Sequence, residues 1–188
     1  MDCSRLLIDT DALIAIGNTS LWEKTFTKVG LTTTYTCKSE LQNHTEKSDR
    51  DDHIYEASLH ALSGIEEGSI DLVNTVPKPS GEDAGEESIR IQIAQNGSHF
   101  DAVFIRDQAG RERIENTAHR EGYEVSISSP AFPIYILYDN GIISKKEFCE
   151  ATQEMVESEG WTGYKSIIVV WEGIPVDCSG FVDSEYFA

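Results

Sequence analysis

Basic residues are scarce in this chain of 188 residues: 15 Lys and Arg stand against 33 Asp and Glu, a formal net charge of -18 at pH 7. A protein that coats nucleic acid without sequence preference carries a basic patch, so the balance argues against that class. The acidic excess is dispersed, with no block of like charge long enough to read as a disordered tail. A dispersed negative surface suits a protein adapted to high salt, where screening removes the self-repulsion. Cysteine is also sparse. Cys3, Cys37, Cys149 and Cys178 form no C-x-x-C pair and have no His at metal-ligand spacing, which argues against zinc. The start M-D-C-S-R-L-L-I has no charged region followed by a long apolar one, and no apolar stretch approaches the length of a membrane span. The expectation is a cytoplasmic protein with reduced thiols and no membrane partner. No G-x-G-x-x-G or G-x-x-x-x-G-K-[ST] occurs, and the histidines at 44, 53, 60, 99 and 119 lack H-E-x-x-H or triad partners. Surface or capping roles are expected of them. Internal repeats and low-complexity tracts are absent.

What is present is an alternation of short apolar runs with helical periodicity. Leu6 to Ile8 reads as a strand running straight into the helix D-A-L-I-A-I, which Gly17 and Asn18 stop. A helix around Leu21 to Val29 closes at Gly30, followed by the β-branched strand L-T-T-T-Y. Thr36 is the expected cap of the next helix, T-C-K-S-E-L-Q-N-H. Residues 50–67 are helical, 70–76 strand-like, and P-K-P-S-G at 77–81 is the clearest loop. Then come a helix from Glu86 to Gln95, a strand from Asp101 to Ile105, a helix from Gly110 to Arg120 and a last strand from Tyr123 to Ile127. Strands separated by helices make right-handed crossovers and a parallel sheet, whose ligands bind beyond the carboxyl ends of the strands. The fold expected is α/β, three layers around a central, mainly parallel sheet, in one domain spanning 1–188 with a core at 1–128. A C-terminal extension at 129–188 reads as helices over 130–138 and 145–157, with 164–171 either helix or strand. Ser128 and Ser129 before Pro130 are read as an N-cap, with a phosphate seat as the alternative.

Four acidic positions stand where a strand ends or a helix begins: Asp9 in I-D-T-D-A-L, Glu40 in K-S-E-L, Glu86 in A-G-E-E-S-I and Asp107 in I-R-D-Q-A-G-R. Carboxylates delivered from several segments to one sheet edge form a hard oxygen cage suited to Mg²⁺ or Mn²⁺, which implies phosphate chemistry. The plainer explanation of each is a solvated carboxylate favoured by a helix dipole. Asp9 departs most from it, because it follows a buried strand and opens an apolar helix. Asp101 begins a strand and belongs at the other sheet edge. The phase of Ile89 and Ile93 places Glu86 over the inward face of its helix.

In order and rough spacing, L-L-I-D-T-D-A-L-I-A, K-S-E-L, A-G-E-E-S-I-R-I-Q-I-A and F-D-A-V-F-I-R-D-Q-A-G-R resemble the signatures of PIN-domain ribonucleases, in particular a branch of small prokaryotic proteins with a G-E third motif. The segment from R-E-G-Y-E-V to S-K-K-E-F resembles that branch's last strand and terminal helices. Carried over position by position, the resemblance implies that Asp9, Glu40, Glu86 and Asp107 hold one or two Mg²⁺ or Mn²⁺ ions for endonucleolytic hydrolysis of RNA. Asp11, Asp83 and Glu87 are further ligand candidates, and the doubled Glu86-Glu87 leaves the third ligand open. Thr10 is expected to hold the Asp9 turn through its hydroxyl. Arg106, where the family often has Thr, Ser or Asp, is either a counter-ion or a phosphate contact. Arg111, with Arg113 and Arg120, is a candidate for RNA backbone contact, against the plainer reading of a solvated helix face. The resemblance also implies a toxin paired with an antitoxin, another protein partner, or a homodimer. The alternative is a non-catalytic PIN-like interaction module.

Overall fold

A computed structural model describes residues 5–46, 52–81, 83–158 and 173–181. Its centre is a five-stranded, all-parallel sheet in the order β3-β2-β1-β4-β5. The strands are β1 (Leu6–Ile8), β2 (Leu31–Thr34), β3 (Ile70–Val73), β4 (Ala102–Phe104) and β5 (Ser126–Ser128). Helices α1 (Thr10–Gly17) and α2 (Trp22–Lys28) separate β1 from β2, and α3 (Tyr35–Glu46) and α4 (Asp52–Glu66) separate β2 from β3. Helix α5 (Ala84–Asn96) leads to β4, α6 (Gln108–Glu121) to β5, and α7 (Ala131–Asp139) and α8 (Lys145–Ser158) follow. The expected α/β/α architecture is present, with helical elements added after β5.

Strand register explains the layers. Leu6, Leu7 and Ile8 pair with Ala102, Val103 and Phe104 in turn. Because successive strand side chains leave on opposite faces, Leu6, Ile8, Ala102 and Phe104 join one apolar cluster while Leu7, Val103 and Ile105 join another. The first cluster is completed by residues such as Leu13 of α1, Phe26 of α2, Ala61 of α4 and Leu137 of α7. Ile89 and Ile93 of α5 and Ile114 and Ala118 of α6 complete the second. Helix α3 reaches both, with Leu41 in the first and Cys37 in the second. Gly17 ends α1, as its position suggests, and also lets α4 approach: a Cβ there would stand 2.7 Å from the Ala57 carbonyl oxygen.

Three local expectations are corrected. The cap of α3 is Thr34, whose hydroxyl accepts the Cys37 N–H at 3.1 Å, and Thr36 lies inside the helix. The N-cap of α7 is Pro130, with no side-chain hydrogen bond at that position. Cys149 and Cys178 are joined as a disulfide with Cα atoms 5.5 Å apart, so these two are not reduced thiols. The first expectation followed β-propensity one residue too far. The last came from the presumed compartment, whereas packing of Ile174 and Val176 against the first cluster carries Cys178 to Cys149. Cys37 is free and buried. The helix-or-strand question at 164–171 lies outside the described residues. Among those described, no helix is long and apolar enough to cross a membrane.

Candidate functional site

The sheet winds outward from β1 in one direction through β2 and β3 and in the other through β4 and β5. At such a reversal, the loops leaving adjacent strands part company and leave a crevice at the carboxyl edge. Asp9 follows β1 and Asp107 follows β4, on neighbouring parallel strands, so both arrive at this crevice. There a cleft of about 410 Å³ is lined by Asp9, Glu40, Glu86 and Asp107, together with Asp11 and Asp83. An adjoining hollow of about 560 Å³ shares Asp11, Asp83, Glu86 and Asp107 and adds Arg106 and Arg113.

Asp9 and Asp107 are built alike. Each has extended backbone and caps the following helix: Asp9 Oδ1 accepts from Ala12 N at 2.7 Å, and Asp107 Oδ2 from Gly110 N at 2.8 Å. Capping by one carboxylate oxygen satisfies an otherwise unpaired helical N–H and places a negative charge on the positive end of the helix dipole. Asp9 is also buried. Burial pushes its carboxyl well above its ordinary pKa, neighbouring Asp11 and then Glu86 add to the rise, and the Ala12 N–H and Arg106 oppose it.

Glu40 enters from α3 and is gripped from two other elements. Its Oε2 accepts from the Thr10 hydroxyl at 2.5 Å and its Oε1 from Gly85 N at 2.7 Å. The Thr10 hydroxyl therefore donates to Glu40, where it was expected to hold the turn beside Asp9. Glycine at 85 is what permits the grip, since a Cβ at that position would overlap Glu40 Oε2 and stand 2.9 Å from the Thr10 hydroxyl oxygen.

The doubled glutamates separate cleanly. Glu86 lines the cleft, and both of its oxygens are held by Arg113 Nη2, at 2.8 and 2.9 Å. Burial raises the Glu86 pKa, Arg113 opposes the rise, and Asp107 and Asp83 reinforce it. Glu87 instead forms a two-pronged pair with Arg90 one turn later, at 2.6 and 2.7 Å, and the Arg90 hydrogen bonds lower its pKa. Asp83, just before α5, has φ 58°, a left-handed conformation that is uncommon outside glycine. Asp11 is exposed, with Arg106 Nη1 3.8 Å from its Oδ2. Arg111 donates from Nε to the Ile105 carbonyl at 2.8 Å, bracing the turn that carries Asp107. Arg120 pairs with Glu121 in the last turn of α6, far along the helix from Asp107.

Asn43 and His44 also line the cleft, which the sequence reading missed. They lie three and four residues after Glu40 and so share its helix face, a spacing that was available to find them. His60 matches the structural expectation: it stacks on Trp22 with centroids 4.1 Å apart and donates from Nδ1 to the Gly17 carbonyl at 2.9 Å.

Carboxylate oxygens dominate the cleft lining, with His44 the one imidazole there, and a donor set of this kind fits a hard divalent cation better than a soft one. Among the described residues, however, no group of three or more His, Cys, Asp or Glu side chains stands close enough to hold an ion as arranged. The cause is visible in the partners: Glu40 is clasped by Thr10 and Gly85, Glu86 by Arg113, and Asp9 and Asp107 each commit one oxygen to a helix cap. A family model described as the halobacterial PIN domain matches residues 3–188. Neither the curated proteins nor the solved structures gave a match.

Proposed function

The chain belongs to the halobacterial PIN-domain family, and from that premise we propose that it is a divalent-metal-dependent endoribonuclease working in one domain. The observation that carries the reading is the arrival of Asp9, Glu40, Glu86 and Asp107, from four separate segments, at one cleft on the carboxyl edge of the sheet. Mg²⁺ or Mn²⁺ held by these carboxylates would supply Lewis acidity and an activated water. The chain's own part is to place the donors. Caps fix Asp9 and Asp107 on helix ends, and the Thr10–Glu40–Gly85 clasp locks α3 to α1 and α5. Burial raises the pKa of the Asp9 carboxyl, and a cation bound beside it would oppose that rise. Arg106 stands beside the acidic rim in the adjoining hollow, where a phosphate of single-stranded RNA would pass. Arg111 acts by bracing the Asp107 turn and contributes charge to the same side. Asp11 and Asp83 are outer ligands acting through water, and Glu87 has no part.

We extend the proposal to a cytoplasmic toxin whose antitoxin, or a second copy of the chain, covers the acidic cleft. The formal net charge of -18 accords with the halobacterial family description and a working medium of high salt. A second reading, a non-catalytic interaction module, draws on the carboxylates not standing as a preformed cage. Incubating purified protein with single-stranded RNA and Mg²⁺ or Mn²⁺, from low to molar salt, separates the two. The nuclease reading expects cleavage that chelator abolishes and that Asp9→Asn and Asp107→Asn each reduce by several orders of magnitude. Full-rate cleavage by Asp9→Asn would expose a contaminant, and no cleavage under any condition supports the module.

A further inference from the structure

Asp107, Gly110 and Arg113 follow one another at three-residue spacing and share one face of α6. That face is shaped around a single side chain of the neighbouring helix. Asp107 caps α6 beside the cleft, Gly110 leaves the space that the Glu86 carboxylate occupies, and Arg113 closes over it. A Cβ at Gly110 would stand 2.8 Å from Glu86 Oε2. Arg113 Nη2 spans both oxygens of Glu86, so a cation approaching that carboxylate meets a positive charge already bound to it. The two partners differ in freedom: the Arg113 side chain is 53% exposed and can swing into solvent, whereas that of Glu86 is 17% exposed and stays at the cleft wall.

We propose that Arg113 is an exchangeable counter-ion, which holds Glu86 while the cleft is without metal and competes with a divalent cation for that carboxylate. The competition sets the ion concentration at which the cleft fills. The proposal rests on the metal-dependent reading above and adds a control on it that α6 itself carries.

Calorimetric titration of Mn²⁺, at one pH and salt concentration, into wild type, Arg113→Gln, Glu86→Gln, the double variant and Asp9→Asn tests it. Arg113→Gln is expected to bind Mn²⁺ about fivefold more tightly than wild type, the upper end of the range for ion pairs open to solvent. Arg113→Lys, which keeps the charge but loses the planar guanidinium, is expected to fall between them. In the Glu86→Gln background, Arg113→Gln should leave the affinity unchanged, because the carboxylate being released is gone. Affinity no tighter in Arg113→Gln, or an equal gain with and without Glu86, overturns the exchange, the second result marking a long-range field effect. Absence of Mn²⁺ binding in every protein, or binding by Asp9→Asn equal to wild type, overturns the metal-dependent reading and the exchange with it.

Discussion

Replacing Gly85 by Ala tests the clasp that joins three elements at the cleft, and the sign of its effect is decided by magnitudes. Gly85 lies in the first turn of α5, where alanine is the better helix former by up to about 1 kcal/mol. On propensity alone the substitution stabilises. The new Cβ, however, would overlap Glu40 Oε2 and crowd the Thr10 hydroxyl, so the Glu40 carboxylate must leave. That breaks its bonds to Gly85 N and Thr10, each worth about 1.5–3 kcal/mol when one partner is charged. Glu40 is only partly buried and recovers some hydration on release, which brings the loss toward the lower end of the sum, about 3 kcal/mol. The net expectation is destabilisation by about 2 kcal/mol, or roughly 4–8 °C in Tm for a chain of this size. The assay is thermal denaturation in molar salt, which leaves short hydrogen bonds intact while screening surface charge. The decisive comparison is the same substitution in a Glu40→Ala background. There the overlap is gone and the Thr10 hydroxyl can turn away, so Gly85→Ala should become neutral or stabilising. Destabilisation of equal size in both backgrounds would refute the argument, since the cost would then lie in the α5 backbone.

Asp9→Asn keeps an acceptor for Ala12 N but cannot ionise. The folded-state pKa of Asp9 is raised, so its contribution to stability is fully present below the unfolded value of about 4 and is lost as pH rises through the folded value. Without metal, the variant and wild type should have equal Tm at acid pH, with the variant gaining as pH rises through that window; a flat difference would refute the burial argument. With millimolar Mn²⁺ the order should reverse, because the ion stabilises wild type by mass action. In RNA cleavage assays, Glu86→Gln should lower kcat by orders of magnitude, while Glu87→Gln, which loses only its pairing with Arg90, should stay within about twofold; the opposite ranking would reassign the third acidic motif. Cys178→Ser should lower stability by about 3–4 kcal/mol, the loop-closure value for a separation of 29 residues, and reductant should lower wild type to the same Tm.

Local chemistry alone determined much of this protein. Unbroken apolar runs in L-L-I and A-V-F make strands buried on both faces, and helices between them compel parallel winding. Parallel winding in turn puts a residue that follows a strand at the carboxyl edge. Asp9 and Asp107 were therefore legible as sharing the carboxyl edge without coordinates, whereas the strand order that makes them neighbours was not, and the helical phase of Ile89 and Ile93 favoured Glu86 over Glu87 while leaving the third ligand open. Asn43 and His44 were equally legible, as the next turn of the face that carries Glu40. Tertiary structure decided the partners of each charge. Thr10 and Glu40 are 30 residues apart, Glu40 and Gly85 45, Glu86 and Arg113 27, and Cys149 and Cys178 29. No helical or strand period reaches across such separations. The carboxylate pairings exist because α1, α3, α5 and α6 converge on one sheet edge, where a side chain takes whichever partner packing brings within hydrogen-bonding distance, and the disulfide because Ile174 and Val176 pack on the first cluster beside α8. The roles of Gly85 and Gly110 belong to the same category, since each glycine makes room for a carboxylate from a different helix.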